Sequence, residues 1–204
     1  MSVKPKIEKY NAKFFDLVCD FIDIMDSDDL ENVKKFINDR IKIDESFNIN
    51  SEDSEGRLPL VIACAAKNIN MVNFLIEKGA DVNLKSKGGL WPLLRATTIG
   101  SVEIVKRLLR APGIEVDQTN IVGNTPLMAL CSRHELTEDH KIIIKLLIKA
   151  GAKTDLTNRD GKVVCASKLD SISSGSSSPK KPHKGGKTNK RQSIKRRKTV
   201  QKRS

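Results

Sequence analysis

Cys131, His134 and His140 fall within ten residues of one another, and thiolate and imidazole are the side chains that most often hold zinc. A structural zinc closes its tetrahedron with typically four ligands, and no fourth is apparent here. Neither a metal nor a cofactor is therefore expected. Cys19, Cys64, Cys131 and Cys165 lie far apart and form no CxxC pair, which suggests neither a disulfide framework nor a zinc ribbon; reduced thiols in an intracellular compartment fit better. No Gly-rich phosphate loop, G-x-S-x-G, H-E-x-x-H or kinase-like set is present. Three His residues leave few candidates for acid–base work, and the cysteines fall on apolar helix faces, where a thiol is packing material. The expectation is a protein that binds and does not catalyse.

A second set of chemical groups lies at the C-terminal end. Residues 171–204 hold twelve Lys and Arg and no acid, which accounts for the whole formal charge of +12 and leaves residues 1–170 neutral. The stretch opens with six Ser and one Gly in 171–178, and only Ile172, Ile194 and Val200 are apolar across it, too little to offset the entropy of ordering, so a disordered tail is expected. Its bases cluster at Lys180-Lys181, Lys190-Arg191 and Lys195-Arg196-Arg197-Lys198, the last run looking like a nuclear localisation signal with Lys190-Arg191 as a second limb. Such a segment also binds any polyanion by counterion release. It has no Tyr or Phe on which single-stranded bases could stack. An import receptor, a nucleic acid or plain solubilising charge all remain open as its role. Ser193 and Thr199 follow basic residues at spacings resembling basophilic kinase substrates, and phosphate there would weaken polyanion or receptor binding.

The elements that must position any binding surface are set by a repeat. Gly56, Gly89, Gly123 and Gly161 recur at intervals of 33, 34 and 38, each six residues after an Asn or Asp: Asn50, Asn83, Asp117 and Asp155. After the first three comes Pro-Leu at 59–60, 92–93 and 126–127, and Pro sits well in the first turn of a helix because its missing N–H would have had no partner there. Short apolar helices follow from Val61, Leu94 and Met128. Second helices then read Met71-Val72-Asn73-Phe74-Leu75-Ile76, Ile104-Val105-Lys106-Arg107-Leu108-Leu109 and Ile143-Ile144-Lys145-Leu146-Leu147-Ile148, each closed by a Gly at 79, 113 or 151.

This arrangement resembles the ankyrin repeat, most closely in Gly79-Ala80-Asp81-Val82-Asn83 and Gly123-Asn124-Thr125-Pro126-Leu127. The resemblance implies an all-α solenoid of helix-turn-helix repeats with β-hairpin fingers. Residues 1–13 form an N-terminal segment and 14–170 the repeat domain: a cap over 14–55, repeats over about 56–88, 89–122 and 123–160, and a partial cap over 161–170. Residues 171–204 are the tail. The N-terminal cap would pair a helix around Phe14 to Ile24 with one around Leu30 to Asn38, and its acids fit a solvated end unit or an acidic docking surface. Stacking is required because one repeat of about 33 residues cannot bury its own apolar face.

The sequence departs from the family at the His of Thr-Pro-Leu-His, replaced by Val61, Leu94 and Met128, which puts the usual His network in doubt. The inter-helix Gly survives only as Gly100, with Lys67 and His134 elsewhere. Repeat three is about five residues longer than repeat one, through Arg133 to His140, with Thr137 as an N-cap and Glu138 and Asp139 in the first turn.

In this family partners dock on the fingers and the concave face. The fingers here would be 51–55, 84–88, 118–122 and 156–160: acidic at Glu52, Asp53 and Glu55, basic at Lys85 and Lys87, apolar at Ile121 and Val122 beside Asn120. Trp91 replaces the family's Thr, either as a partner anchor or packed over its own hairpin. No apolar run approaches the roughly 18 residues that cross a bilayer, and the N-terminus opens into charge, so a soluble monomer of nucleus or cytoplasm is expected. The reading is a protein-interaction module with a basic tail; the alternative is a nucleic-acid-associated protein held mainly by that tail.

Overall fold

A computed structural model describes residues 29–44, 47–161 and 169. Seven helices follow one another there: α1 (Asp29–Ile43), α2 (Pro59–Ala65), α3 (Ile69–Glu77), α4 (Pro92–Thr98), α5 (Val102–Leu108), α6 (Pro126–Cys131) and α7 (Glu138–Lys149). Pro59, Pro92 and Pro126 open α2, α4 and α6, as the spacing predicts. Asn68 and Thr125 cap α3 and α6 by accepting from Met71 N (2.9 Å) and Met128 N (3.3 Å). Thr137 caps α7, which begins with Glu138 and Asp139, so the extra length of repeat three does end in the expected cap.

The helices form two layers. α2, α4 and α6 pack one on the next, and α3, α5 and α7 stack behind them. The columns are uniform: Met71, Ile104 and Ile143, then Leu75, Leu108 and Leu147, are all fully buried at the same register in successive repeats. Val61, Leu94 and Met128, where the family carries His, are buried apolar contacts instead. α1 packs Val33 and Ile37 against the core, and it runs past the expected end at Asn38 to Ile43, with Arg40 ion-paired to Asp44 at 3.0 Å. The helix expected at Phe14 to Ile24, the partial cap over 162–170 apart from Leu169, and the tail lie outside the described residues.

A direct ladder ties the repeats together. Asn50 Oδ1 accepts from Asp81 N (2.8 Å), Asn83 Oδ1 from Glu115 N (2.9 Å) and Asp117 Oδ1 from Lys153 N (3.1 Å). Asn83 Nδ2 also donates to Gly113 O at 2.7 Å. Asn50, Asn83 and Asp117, each six residues before a repeat Gly, are thus pins between one repeat and the turn after the next repeat's second helix.

Candidate partner-binding surface

Each finger is a tight turn, and none of the described fingers is a strand pair. Asp53 N, Ser86 N and Asn120 N donate to the carbonyls of Arg57, Leu90 and Asn124, at 2.9, 2.8 and 3.0 Å, while Gly56, Gly89 and Gly123 donate back to Asp53, Ser86 and Asn120. The side chain at the same position closes the turn a second time. Asp53 Oδ1 accepts from Glu55 N and Arg57 N, Ser86 Oγ from Leu90 N, and Asn120 Oδ1 from Val122 N and Asn124 N. Asn158 repeats the motif with Asp160 N at 3.0 Å. Sequence reasoning missed these residues, although a short polar side chain three positions before each repeat Gly was there to be read.

Two expectations change in consequence. Asp53 is 5% exposed and bonded to Arg57 through its own Oδ2, so it is a structural carboxylate and not part of an acidic docking finger. Asn120 keeps its place in the row, but its side-chain oxygen is committed to its own turn.

Trp91 is the larger correction. It is fully buried, with Nε1 lacking any hydrogen-bond partner among the described residues, and so cannot be a contact anchor for a partner. The position precedes α4, where the chain turns inward between neighbouring repeats, and a large ring fills that space as part of the core. Its ring does reach the surface indirectly: Lys85 Nζ sits 5.2 Å from the ring centroid and donates to Thr119 O at 2.7 Å. A flexible lysine is thereby held in one place between two fingers.

Glu55 on the first finger and Asp160 on the fourth are exposed, and between them the row presents apolar and basic side chains to solvent. Ile121 is 69% exposed, Val122 50% and Leu90 37%, beside exposed Lys85, Lys87 and Arg159. Lys190, Arg191, Lys195, Arg196, Arg197 and Lys198, with Ser193 and Thr199, lie outside the described residues.

The side chains singled out for metal or redox chemistry are otherwise employed. His140 is buried, its Nδ1 accepting from Thr137 N at 3.2 Å and lying 2.9 Å from Thr137 Oγ1. Burial, helped by Arg133, lowers its pKa below the ordinary 6.5, with the Thr98 backbone and Asp139 working weakly the other way. Nε2 rests against Gly100, whose missing Cβ would stand 3.1 Å away. Gly100, at φ +74°, gives both the turn and the room for that ring. His134 is exposed. Cys64 is wholly buried, and burial pushes its thiol far above the ordinary range, against a smaller opposing effect of Arg95. Cys131 is disulfide-bonded, its partner lying outside the described residues, so the expectation of reduced thiols does not extend to it.

Helix pairs stacked side by side, pinned by a side-chain ladder and fronted by a row of turns, define a repeat solenoid. Residues 41–95 match a family of ankyrin repeats in many copies, and residues 122–159 match the ankyrin repeat. The chain is an ankyrin repeat protein. YahD of Escherichia coli (strain K12), named for its ankyrin repeats, is 32% identical over 120 residues, 59% of this chain and 60% of that one. The ANK repeat-containing protein nipk-1 of Caenorhabditis elegans is 31% identical over 152 residues, 70% of this chain and 24% of that one. A protein of Saccharomyces cerevisiae named as 26S proteasome regulatory subunit p28 is 33% identical over 133 residues, 65% and 54% of the two chains. The chain thus spans less than two thirds of each of these relatives. Among the described residues, no helix is long and apolar enough to cross a membrane.

Proposed function

We propose that this protein is a non-catalytic interaction module that binds a partner protein along its second, third and fourth fingers and on the adjoining concave face. Ankyrin repeats generally serve protein–protein interaction, and the observation that carries the reading to particular residues is the exposed pair Ile121 and Val122. Two aliphatic side chains exposed on a turn that a solvated finger would make polar, while the helix columns Met71-Ile104-Ile143 and Leu75-Leu108-Leu147 are fully buried, support a surface left for a partner. Lys85 and Lys87 flank it on the neighbouring finger.

The basic segment 171–204 supplies a second, long-range contact, with an import receptor or a nucleic acid, through Lys190, Arg191 and Lys195 to Lys198. The two contacts separate in one experiment. The full chain, wild type and Ile121→Asp/Val122→Asp, is used to capture cellular proteins after nuclease treatment, with quantitative mass spectrometry of what is retained. A defined set of proteins lost from the variant is expected. An unchanged set, or capture that vanishes with nuclease alone, would overturn the finger assignment and make polyanion binding by the basic segment primary.

A further inference from the structure

The three junctions between successive fingers are not alike. At the first, Lys87 N donates to Gly56 O at 3.1 Å, and a methyl group added at Gly56 would come within 2.5 Å of Lys87 Cβ. At the third, Arg159 N donates to Val122 O at 3.3 Å, and a methyl at Gly123 would meet that same nitrogen at 2.9 Å. At the second, the equivalent backbone bond, from Ile121 N to Gly89 O, is absent among the described residues, and Gly89 has only the Cγ2 methyl of Ile121 close to it. The Lys85 ammonium, bonded to Thr119 O, bridges the junction instead.

The unclosed junction leaves an open cleft of about 240 Å³, lined by Lys85, Gly89, Thr119, Asn120, Ile121 and Arg159. Among the described residues its lining is one-sided in charge, with two cations and no carboxylate. Lys85 still has ammonium protons to give beyond the one Thr119 takes, and Arg159 makes no ion pair among the described residues. The larger groove between α3 and α5 differs in both respects, since Glu103 lies among its bases and Arg107 Nε is bonded to Asn73 Oδ1 at 2.9 Å.

We infer that this cleft is an acidic-side-chain subsite: an extended segment of the partner protein lays an aliphatic residue on Ile121 and Val122 and places a neighbouring Asp or Glu carboxylate between Lys85 and Arg159. A carboxylate matches two cations lining one cleft and a backbone N–H at Ile121 without a partner among the described residues, and the exposed aliphatic side chains beside the cleft take apolar contact. A nucleic acid would find phosphate partners in the cleft but no stacking surface beside it, because Trp91 is fully buried. The assignment rests on the finger-row reading and names the kind of partner segment it takes.

The test uses a displayed random-heptapeptide library selected on the full chain, with the enriched peptide remade carrying a fluorescent label. Enriched peptides are expected to place Asp or Glu next to Leu, Ile or Val. Their affinity is expected to fall about tenfold when that acid becomes Asn or Gln, and about tenfold in Lys85→Met/Arg159→Met. Arg159→Met alone, at an exposed turn, keeps the test valid should loss of Lys85 disturb Trp91. Peptides without acids, or acidic peptides indifferent to both substitutions, would overturn the subsite. If such peptides were still lost with Ile121→Asp, the finger-row reading would survive that failure; peptides indifferent to Ile121 and Val122 as well would sink both. No enrichment at all overturns the subsite, as does a single-stranded oligonucleotide whose affinity depends on Lys85 and Arg159 while peptides bind nowhere.

Discussion

The helical stack and the finger row are made by the same three repeats, yet the first is uniform and the second is not. At each core register the repeats place a similar side chain with the same burial, as in Leu75, Leu108 and Leu147. At each finger register they share only the Asx-type or Ser turn that shapes the backbone, and the residue after it varies from Ser54 to Lys87 to Ile121. A stacked layer must fit its neighbours on both sides and so tolerates little change, whereas a turn in solvent must satisfy only itself. Variation among the fingers is therefore free to specify a partner.

The sharpest way to break this contrast is through the residue that belongs to one region by sequence and to the other by structure. Trp91→Ala empties a fully buried site, and a loss of about 3–5 kcal/mol is expected, read as a lower denaturation midpoint. A loss under about 1 kcal/mol would mean that the ring packs on the surface after all. Asn83→Ala removes two bonds between repeats and is expected to cost about 1–2 kcal/mol while leaving each finger turn intact. Chemical denaturation in which the repeats no longer unfold together would sharpen the point that this ladder couples them.

Lys67 and Gly100 occupy the same turn, and Lys67 takes φ +56° without the freedom of glycine. Lys67→Gly is expected to raise stability by about 1 kcal/mol, seen as a small upward shift in the thermal midpoint. His140 adds a pH dependence at the junction of repeats two and three. Its folded-state pKa lies below 6.5, so the unfolded chain binds the proton more readily and stability falls as pH drops below 6.5. A urea titration from pH 7.5 to 5.5 should show this loss in wild type and a flatter profile in His140→Gln; equal profiles would show that another group carries it. The smallest effect expected is from Ile121→Asp, within about 0.5 kcal/mol in stability, since the side chain is mostly in water.

Much of the architecture was legible because it is written at local spacing. The Pro-Leu pairs, the 33-residue period and the Thr137 cap each depend on residues within one turn or one repeat, and the structure places them as read. The Asn and Asp residues six before each Gly were visible as a pattern, but their purpose was not, because Asn50, Asn83 and Asp117 bond to a backbone some 30 residues away. Asp53 was misjudged for a related reason: a carboxylate on a turn looks exposed until the turn folds its own N–H groups onto it.

By itself, then, the sequence determined a repeating pair of helices, the positions that must be apolar and the separation of a neutral body from a basic segment, all of which follow from periodicity and composition. Only the tertiary structure decided that Trp91 lies inside, that Lys85 is held across two fingers and that one finger junction of three stays open. Those outcomes depend on how adjacent repeats meet, a distance of one ring or one backbone bond between residues 30 or more positions apart, and no local rule of spacing sets that.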